Sequence, residues 1–338
     1  MRSTINGLPL SLLLVSGILN GSSAVPLKYA KRSAWENLWL IQSILAMLVL
    51  PWVLVWFTVP RAMEVYRVSG LSPLAAAAGF GFGWGIGGLL YIIGVVSVGM
   101  SVSFAIILSL TATLGSIFPL LALHPHEINS RQGHFLIAAL LLAVIGILFC
   151  AYAGAGRIEE SSASSVLQEK RYFWRGVIVC VLSGIFSPML NFAFVFGDRV
   201  NVVARQFGAS LLWAPNALWA IAFTAAFWLN AFYCLYHLGL KKSWSRFLEA
   251  PGEHFIGGSI MGLLLWASIF IYGVSAEMLG TWGTTAGWAV NMCSTIFAAN
   301  VWGLMTGEWR GASRKSYVQL ALGLGTTMIA IVLAAPVS

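Results

Sequence analysis

Apolar runs of about 20 residues recur along the whole chain and alternate with short polar stretches. Because a helix needs about 20 apolar residues to cross the hydrocarbon core of a bilayer, each run predicts one transmembrane helix. The predicted spans are residues 8–27, 36–58, 73–96, 101–122, 133–153, 174–196, 210–236, 255–276, 282–305 and 316–335. The pattern therefore predicts an all-α integral membrane protein with ten transmembrane helices and no soluble domain.

The longest polar break, residues 154–171, divides the ten predicted spans five to five. We expect a first five-helix repeat over 1–153, a polar loop over 154–171 and a second five-helix repeat over 172–338. Five is an odd number, so the second half begins on the opposite side of the membrane, which predicts a 5+5 inverted repeat. Transporters built in this way bind their substrate near the midplane of the membrane, where the repeats meet.

Two short sequence echoes support this pairing of halves. Val15-Ser-Gly-Ile-Leu-Asn20 resembles Leu182-Ser-Gly-Ile-Phe-Ser187, and Tyr91–Ser101 resembles Phe270–Gly280. The first echo pairs spans 1 and 6, and the second pairs spans 3 and 8. A five-plus-five duplication requires both pairings. Since span 1 has a partner in the second half, we expect it to be retained and not cleaved as a signal peptide.

Span 3 is unusually rich in glycine, with eight glycines between residues 79 and 101. In lipid the segment stays helical because its backbone must satisfy its own hydrogen bonds, and glycine lets neighbouring helices approach closely. The spacing of Gly79, Gly83 and Gly87 predicts such packing. Residues 83–88 also fit G-x-G-x-x-G, but no strand precedes them, so a dinucleotide site is not expected.

Composition and charge agree with a multi-pass membrane protein. The chain is 59% hydrophobic and 9% charged, whereas soluble domains carry about 25% charged residues. The net charge is +8, and the basic residues lie in short loops, which indicates orientation in the membrane and not nucleic-acid binding. Thirteen of the 19 Lys and Arg residues fall on one side. We expect that side, with the 154–171 loop, to be cytoplasmic in a bacterial inner membrane, and both termini to lie outside.

Neutral polar and aromatic residues occupy the interiors of the predicted spans. Amide groups both donate and accept hydrogen bonds to hydroxyls, and aromatic faces pack on the C–H face of a sugar ring, so this set indicates an uncharged polyol as substrate. Interhelical hydrogen bonding and packing are the structural alternatives. The predicted substrate-binding residues are Asn20, Trp84, Tyr91, Ser187, Asn191, Asn216, Trp266, Trp288 and Asn291. Pro188 is expected to kink or break span 6 beside two of them.

Ionisable residues are confined to the ends of the predicted spans, and no histidine lies in the interior of one. This distribution argues against a membrane-embedded enzyme, which needs a cluster of such groups. If protons are coupled to transport, the candidate carriers are the edge carboxylates Glu36, Asp198, Glu277 and Glu308. We expect no metal site at His124-Pro-His126-Glu127, no cofactor, and no role for the four cysteines beyond packing.

Several segments together resemble the L-rhamnose/proton symporter family of the drug/metabolite transporter superfamily. They are Val25–Glu36, Leu50-Pro-Trp52, Trp84–Gly87 with Tyr91, Gly99-Met-Ser101, Gly184–Ser187, and Gly307-Glu-Trp309 with Arg314-Lys315. They recur in family order, and the ten-span pattern matches from end to end. The resemblance implies uptake of L-rhamnose or a related deoxyhexose by proton symport and alternating access.

The chain departs from the family pattern in its second half. The family has a His at the position aligned with Asn291, a Gln at Ile269, and an acidic residue in the region of 281–285. The sequence therefore identifies a divergent member. Two alternatives stay open at this point, namely export or uniport of another small metabolite by a member of the same superfamily.

Overall fold

The computed structural model describes residues 7–30, 34–98, 100–123, 125–159, 167–307 and 309–334, and within these ranges it is helical, with no strand. The α-helices are α1 Leu8–Ser22, α2 Pro26–Tyr29, α3 Trp35–Ser43, α4 Leu50–Thr58, α5 Ala62–Ser69, α6 Leu71–Val98, α7 Met100–Leu123, α8 Arg131–Glu159, α9 Leu167–Phe186, α10 Met189–Gly197, α11 Arg199–Gln206, α12 Pro215–Leu240, α13 Arg246–Glu249, α14 Pro251–Leu279, α15 Ala286–Met305 and α16 Arg314–Ala334. The short 3₁₀ turns lie in the connections between them.

Nine helical segments of the described chain are long and apolar enough to cross a membrane. They are Leu8–Tyr29, Trp35–Thr58, Leu71–Gly94, Ile106–Leu123, Arg131–Cys150, Trp174–Gly197, Pro215–Leu240, Pro251–Leu279 and Arg314–Ala334. The prediction of an all-α integral membrane protein is confirmed. The remaining predicted span, 282–305, corresponds to α15, so the count of ten is compatible with the fold, as is the inverted repeat.

The chain forms two compact units. Unit A contains Met1–Ile18, Ile86–Pro188 and Met278–Ser338, and unit B contains Leu19–Gly85 and Met189–Glu277. The chain passes between units within α1, within α6, between α9 and α10, and within α14. These four places fall in spans 1, 3, 6 and 8, the same spans that the sequence echoes pair. The repeats themselves, over 1–153 and 172–338, stay a prediction.

Small residues set the packing of unit A. A Cβ added at Gly323 would meet Cys150 of α8, and one added at Gly146 would lie 2.7 Å from Thr327 Oγ1 of α16, so α8 and α16 approach closely. A Cβ at Gly94 would likewise lie 2.7 Å from Cys180 Sγ of α9. Close approach at small residues is the usual packing of membrane helices.

Helix α12 lies inside unit B: residues 215–220 are buried on every side, and beyond them burial follows one face of the helix. The glycines of α6 that contact it are Gly81, whose added Cβ would lie 2.6 Å from Ala222 Cα, and Gly85, at 3.0 Å from Ala226 Cα. Gly79 meets nothing within 4 Å. The predicted packing is present at Gly83, whose added Cβ would meet Met189 of α10, and at Gly87, where it would lie 2.8 Å from Ser187 N. Gly81 and Gly85 add a second closely packed face, which α12 covers.

Two helical irregularities lie in the spans. The second span contains a π-helical segment, Ile44–Val49, immediately before Leu50-Pro51. In the sixth span α9 ends at Phe186 and α10 begins at Met189, so Ser187 and Pro188 form the break. The interruption predicted from Pro188 is therefore confirmed, since proline lacks the N–H that would continue the backbone ladder.

Candidate functional site

Unit B contains a connected group of six aromatic side chains, which we call the aromatic cluster. Its members are Trp84, Phe194, Trp219, Phe223, Trp266 and Tyr272. The ring of Phe223 lies edge-on to Trp84 at 5.1 Å and to Trp266 at 5.5 Å, measured between centroids. Trp219 stacks on Phe194 at 5.1 Å. These distances fall within the preferred range for aromatic pairs, so the rings support one another.

Helical spacing explains how the cluster forms. Asn216, Trp219 and Phe223 lie at i, i+3 and i+7 on α12 and therefore share one face of the helix. On α14, Trp266 and Gly273 are also seven residues apart, and they meet Phe223 and Trp219 respectively. A Cβ at Gly273 would lie 2.7 Å from Trp219 Nε1, so glycine at this position leaves room for the indole nitrogen.

Three buried polar atoms in and beside the cluster have no hydrogen-bond partner in the described protein. They are Trp219 Nε1, Trp266 Nε1 and Asn216 Oδ1. Burying such a group without a hydrogen bond costs about 1–3 kcal/mol, and unpaired groups in native proteins call for an explanation. Two indole donors and one amide acceptor match the hydrogen-bonding capacity of a polyol.

An amide–phenol pair adjoins the cluster. The Tyr272 hydroxyl donates to Asn191 Oδ1, and both residues are fully buried. Asn216 donates from Nδ2 to Thr58 Oγ1 at 3.2 Å, which orients its side chain. Of the predicted substrate-binding residues, Trp84, Asn191, Asn216 and Trp266 therefore lie in or beside one cluster. Asn20, also in unit B, lies at the C-terminal end of α1, where its carbonyl accepts the Ser23 hydroxyl at 2.7 Å.

Four predicted residues lie in unit A, where α15 carries two of them. Trp288 Nε1 donates to the Thr111 carbonyl at 3.0 Å, and Ser16 Oγ donates to Asn291 Oδ1 at 2.8 Å. Asn291 Nδ2 is buried with no partner in the described protein. These contacts are the interhelical hydrogen bonds expected as the structural alternative.

The other two predicted residues of unit A are less enclosed. Tyr91 is half-buried on α6, and Ser187 is half-buried at the break before α10. The Ser187 N–H donates to the Ser183 carbonyl at 2.8 Å, while Ser183 Oγ donates to the Gly87 carbonyl at 2.9 Å. Ser183, which the sequence prediction omitted, thus ties α9 to α6.

Two of the predicted proton carriers share one polar network in unit B. Glu277, whose side chain is 7% exposed, accepts Arg205 Nη1 on Oε2 at 2.5 Å and Asn201 Nδ2 on Oε1 at 3.1 Å. The same Asn201 amide lies 3.3 Å from Asp198 Oδ1. We call these four residues the α11 network.

Glu36 lies in a separate network of unit B. Its side chain is 0% exposed, and its carboxylate is 3.3 Å from Lys241 Nζ and accepts the Ser243 hydroxyl at 3.0 Å. Lys241, the cation beside Glu36, directly follows α12. Glu277 lies 26 residues beyond Pro251, the first residue of α14, which is about 39 Å along the helix axis at 1.5 Å per residue. The two buried carboxylates therefore lie near opposite ends of unit B. Glu308, the fourth candidate, lies outside the described residues.

Histidine placement corrects one expectation. His237 and His254 lie inside candidate spans, because α12 and α14 extend beyond the predicted apolar limits, and His134 lies near the start of a third candidate span. His254 is fully buried, with Nδ1 2.6 Å from the Ala250 carbonyl. No group of three metal-ligating side chains occurs in the described part of the chain, and His124 lies outside it. The four cysteines are free and buried, as packing residues would be.

Comparison with known proteins decides the family. The model of the L-rhamnose-proton symport protein family matches residues 9–338. The chain belongs to this family. Its relatives include the L-rhamnose-proton symporters of Yersinia pestis (strain Pestoides F) and Yersinia pseudotuberculosis serotype O:3 (strain YPIII). Each is 23% identical over 306 residues, which is 88% of this chain and 88% of the relative.

The family is one of symport proteins, which are transporters. Membership in it also directs attention to residues that sequence reasoning missed. Trp219, Phe223 and Tyr272 complete the aromatic cluster, and Asn201 and Arg205 complete the α11 network. The heptad relation of Asn216, Trp219 and Phe223 was visible in the sequence. The partners of Glu277 lie 72 and 76 residues away, which no local pattern reveals.

Proposed function

We propose that this protein takes up a small sugar, L-rhamnose or a related deoxyhexose, together with protons, by alternating access in a bacterial inner membrane. Family membership supports the transporter class, and the relatives named as L-rhamnose-proton symporters support the substrate and the coupling ion. We further propose that the two halves, 1–153 and 172–338, are inverted repeats joined by a cytoplasmic 154–171 loop, with both termini outside.

The observation that carries the sugar proposal is the set of unpaired buried polar atoms in the aromatic cluster. Trp219 Nε1 and Trp266 Nε1 can each donate to a ring hydroxyl, and Asn216 Oδ1 can accept from one. The indole faces can pack on the apolar side of a pyranose. A 6-deoxyhexose also carries a methyl group, which an aromatic surface accommodates without an unpaired polar atom. The cluster thus suits this class better than it suits a charged metabolite.

Counterflow in proteoliposomes tests the proposal directly. Proteoliposomes that contain the purified protein and are loaded with unlabelled L-rhamnose should transiently concentrate labelled L-rhamnose from outside, with no proton gradient imposed. L-fucose, D-glucose and L-arabinose serve as competitors to define the substrate class. Absence of counterflow with every hexose, deoxyhexose and pentose, from protein that is correctly inserted and folded, would refute sugar transport.

Proton coupling needs a second measurement on the same vesicles. Addition of L-rhamnose should drive protons inward and make the lumen more acid, reported by a trapped pH-sensitive dye. Counterflow without any sugar-induced acidification would show a uniporter and remove the four carboxylates as carriers.

A further inference from the structure

The α11 network is arranged by one helical face. Asp198, Asn201 and Arg205 lie at i, i+3 and i+7, so they project from the same side of α11, against Glu277 of α14. Glu277 is almost fully buried, whereas the Arg205 side chain is 34% exposed and Asp198 is half-buried. A buried carboxylate thus lies behind a partly exposed cation and beside a second carboxylate.

The chemistry of arginine restricts when Glu277 can take a proton. A guanidinium is never deprotonated in proteins, so it holds a paired carboxylate in its ionised form. With Arg205 on Oε2 and Asn201 on Oε1, both oxygens of Glu277 already accept hydrogen bonds. Protonation of Glu277 removes the negative charge that pairs with Arg205, and the guanidinium then needs another anion. Asp198 is that anion on the same face.

The other charged groups near this end of unit B do not compete for Glu277. Arg199 is exposed on α11, and on α5, which packs on α11, Arg67 is exposed. Arg61 and Glu64 of α5 form their own exposed pair at 3.5 Å. Among the described residues, the ionic partner of Glu277 is therefore Arg205.

We propose that Arg205 and Asn201 are positioning residues for the transported proton. Arg205 keeps Glu277 ionised in the proton-free state. When Glu277 becomes protonated, the Arg205 guanidinium moves to Asp198. Asn201 holds the two carboxylates in place relative to each other. The inference rests on the proposed proton-coupled uptake and names Glu277 as its carrier. The step balances, because one proton binds the carboxylate oxygen that the guanidinium vacates and no other bond is made or broken.

Infrared spectroscopy of the purified full-length protein, without sugar, tests this assignment. The C=O stretch of a protonated carboxylic acid is followed over pH, and the band lost in Glu277→Gln is assigned to Glu277. Arg205→Gln should let that band persist to a pH higher by about 1–3 units, since a cation at hydrogen-bond distance shifts a carboxyl titration by this amount. Arg67→Gln removes an exposed arginine at the same end and should leave the band unchanged.

Transport supplies the second readout. Arg205→Gln should lose sugar-driven acidification and accumulation but keep counterflow, because a carboxyl that stays protonated still permits exchange. If Arg205→Gln does not fold, Arg205→Lys keeps the charge without the planar fork and should give a smaller shift in the same direction. Two results would overturn the inference and leave the pair purely structural. One is an unchanged pH midpoint of the Glu277 band in folded Arg205→Gln. The other is sugar accumulation at the wild-type level by the double variant Arg205→Gln/Glu277→Gln.

These outcomes separate this inference from the proposed function. The infrared measurement uses no sugar, so a missing counterflow in the wild type would refute sugar transport even where the band shifts as expected. Normal counterflow with an unshifted band would refute only the role of Arg205.

Discussion

Alanine at Gly81 is expected to force α6 away from α12. The added Cβ would lie 2.6 Å from Ala222 Cα, about 0.8 Å short of the 3.4 Å at which ordinary contacts begin. The atoms it meets belong to the backbone of α12, so no side chain can rotate to relieve the overlap. Either the helices separate or the backbone distorts, and both lose packing along the interface.

Two effects of opposite sign act in this variant. Overpacking a tight site costs about 1–3 kcal/mol. Replacing glycine by alanine inside a helix gains about 1 kcal/mol of helix propensity. Gly79→Ala isolates the second effect, because Gly79 lies two residues away on the same helix and meets nothing within 4 Å. The propensity term cancels between the two variants, so Gly81→Ala should be less stable than Gly79→Ala by about 1–3 kcal/mol.

Thermal unfolding in detergent measures this difference. The fraction of folded protein that survives heating is quantified by size-exclusion chromatography. Gly85→Ala provides a graded third point, since its Cβ would lie 3.0 Å from Ala226 Cα. The expected order of Tm is Gly79→Ala highest, then Gly85→Ala, then Gly81→Ala. Equal Tm values for Gly79→Ala and Gly81→Ala would refute the close approach of α6 and α12 in unit B.

Three further variants probe the site and its supports. Trp219→Phe keeps an aromatic ring but loses the unpaired indole N–H, so L-rhamnose should bind about 2- to 10-fold more weakly by isothermal titration calorimetry. The control variant Trp228→Phe, at an exposed position, should bind L-rhamnose normally. Tyr272→Phe removes the hydroxyl that donates to Asn191 Oδ1 and should lower Tm, at a cost of about 1–3 kcal/mol; an unchanged Tm would contradict a stabilising role for this buried bond. Lys241→Ala leaves the buried Glu36 carboxylate without its cation and should lower Tm; an unchanged Tm would count against this reasoning.

The sequence predicted helices well and their limits less well. The second span, predicted over 36–58, is Trp35–Thr58 in the structure, because apolar residues fill it from end to end. The seventh was expected to end at residue 236 but continues to Leu240. A histidine interrupts an apolar run without interrupting backbone hydrogen bonds, so His237 stays in the helix. Hydropathy shows which part of a helix lipid can cover, whereas the helix itself ends where its backbone hydrogen bonds end.

The candidate site was predictable in kind but not in its pairings. Amides and indoles inside apolar spans indicated a neutral polar substrate, and Trp84, Asn191 and Trp266 do lie in or beside one cluster. Asn291, chosen by the same argument, instead accepts a hydrogen bond from Ser16, 275 residues away. A polar residue in a span has the same sequence signature whether it binds substrate or a neighbouring helix. Only packing separates the two.

The arrangement of charge in unit B connects the sugar proposal with the proton proposal. Tyr272 and Glu277 lie five residues apart on α14, about 7.5 Å along its axis. Each bonds to the adjoining α10–α11 segment, Tyr272 to Asn191 and Glu277 to Asn201. The two bonds join α14 to two consecutive helices, α10 beside the aromatic cluster and α11 at the carboxylate. A charge at mid-membrane would be costly, so the carboxylate stays at the end of the span. The change of partner proposed for Glu277 would therefore act on the same helix whose Tyr272–Asn191 pair lies beside the aromatic cluster.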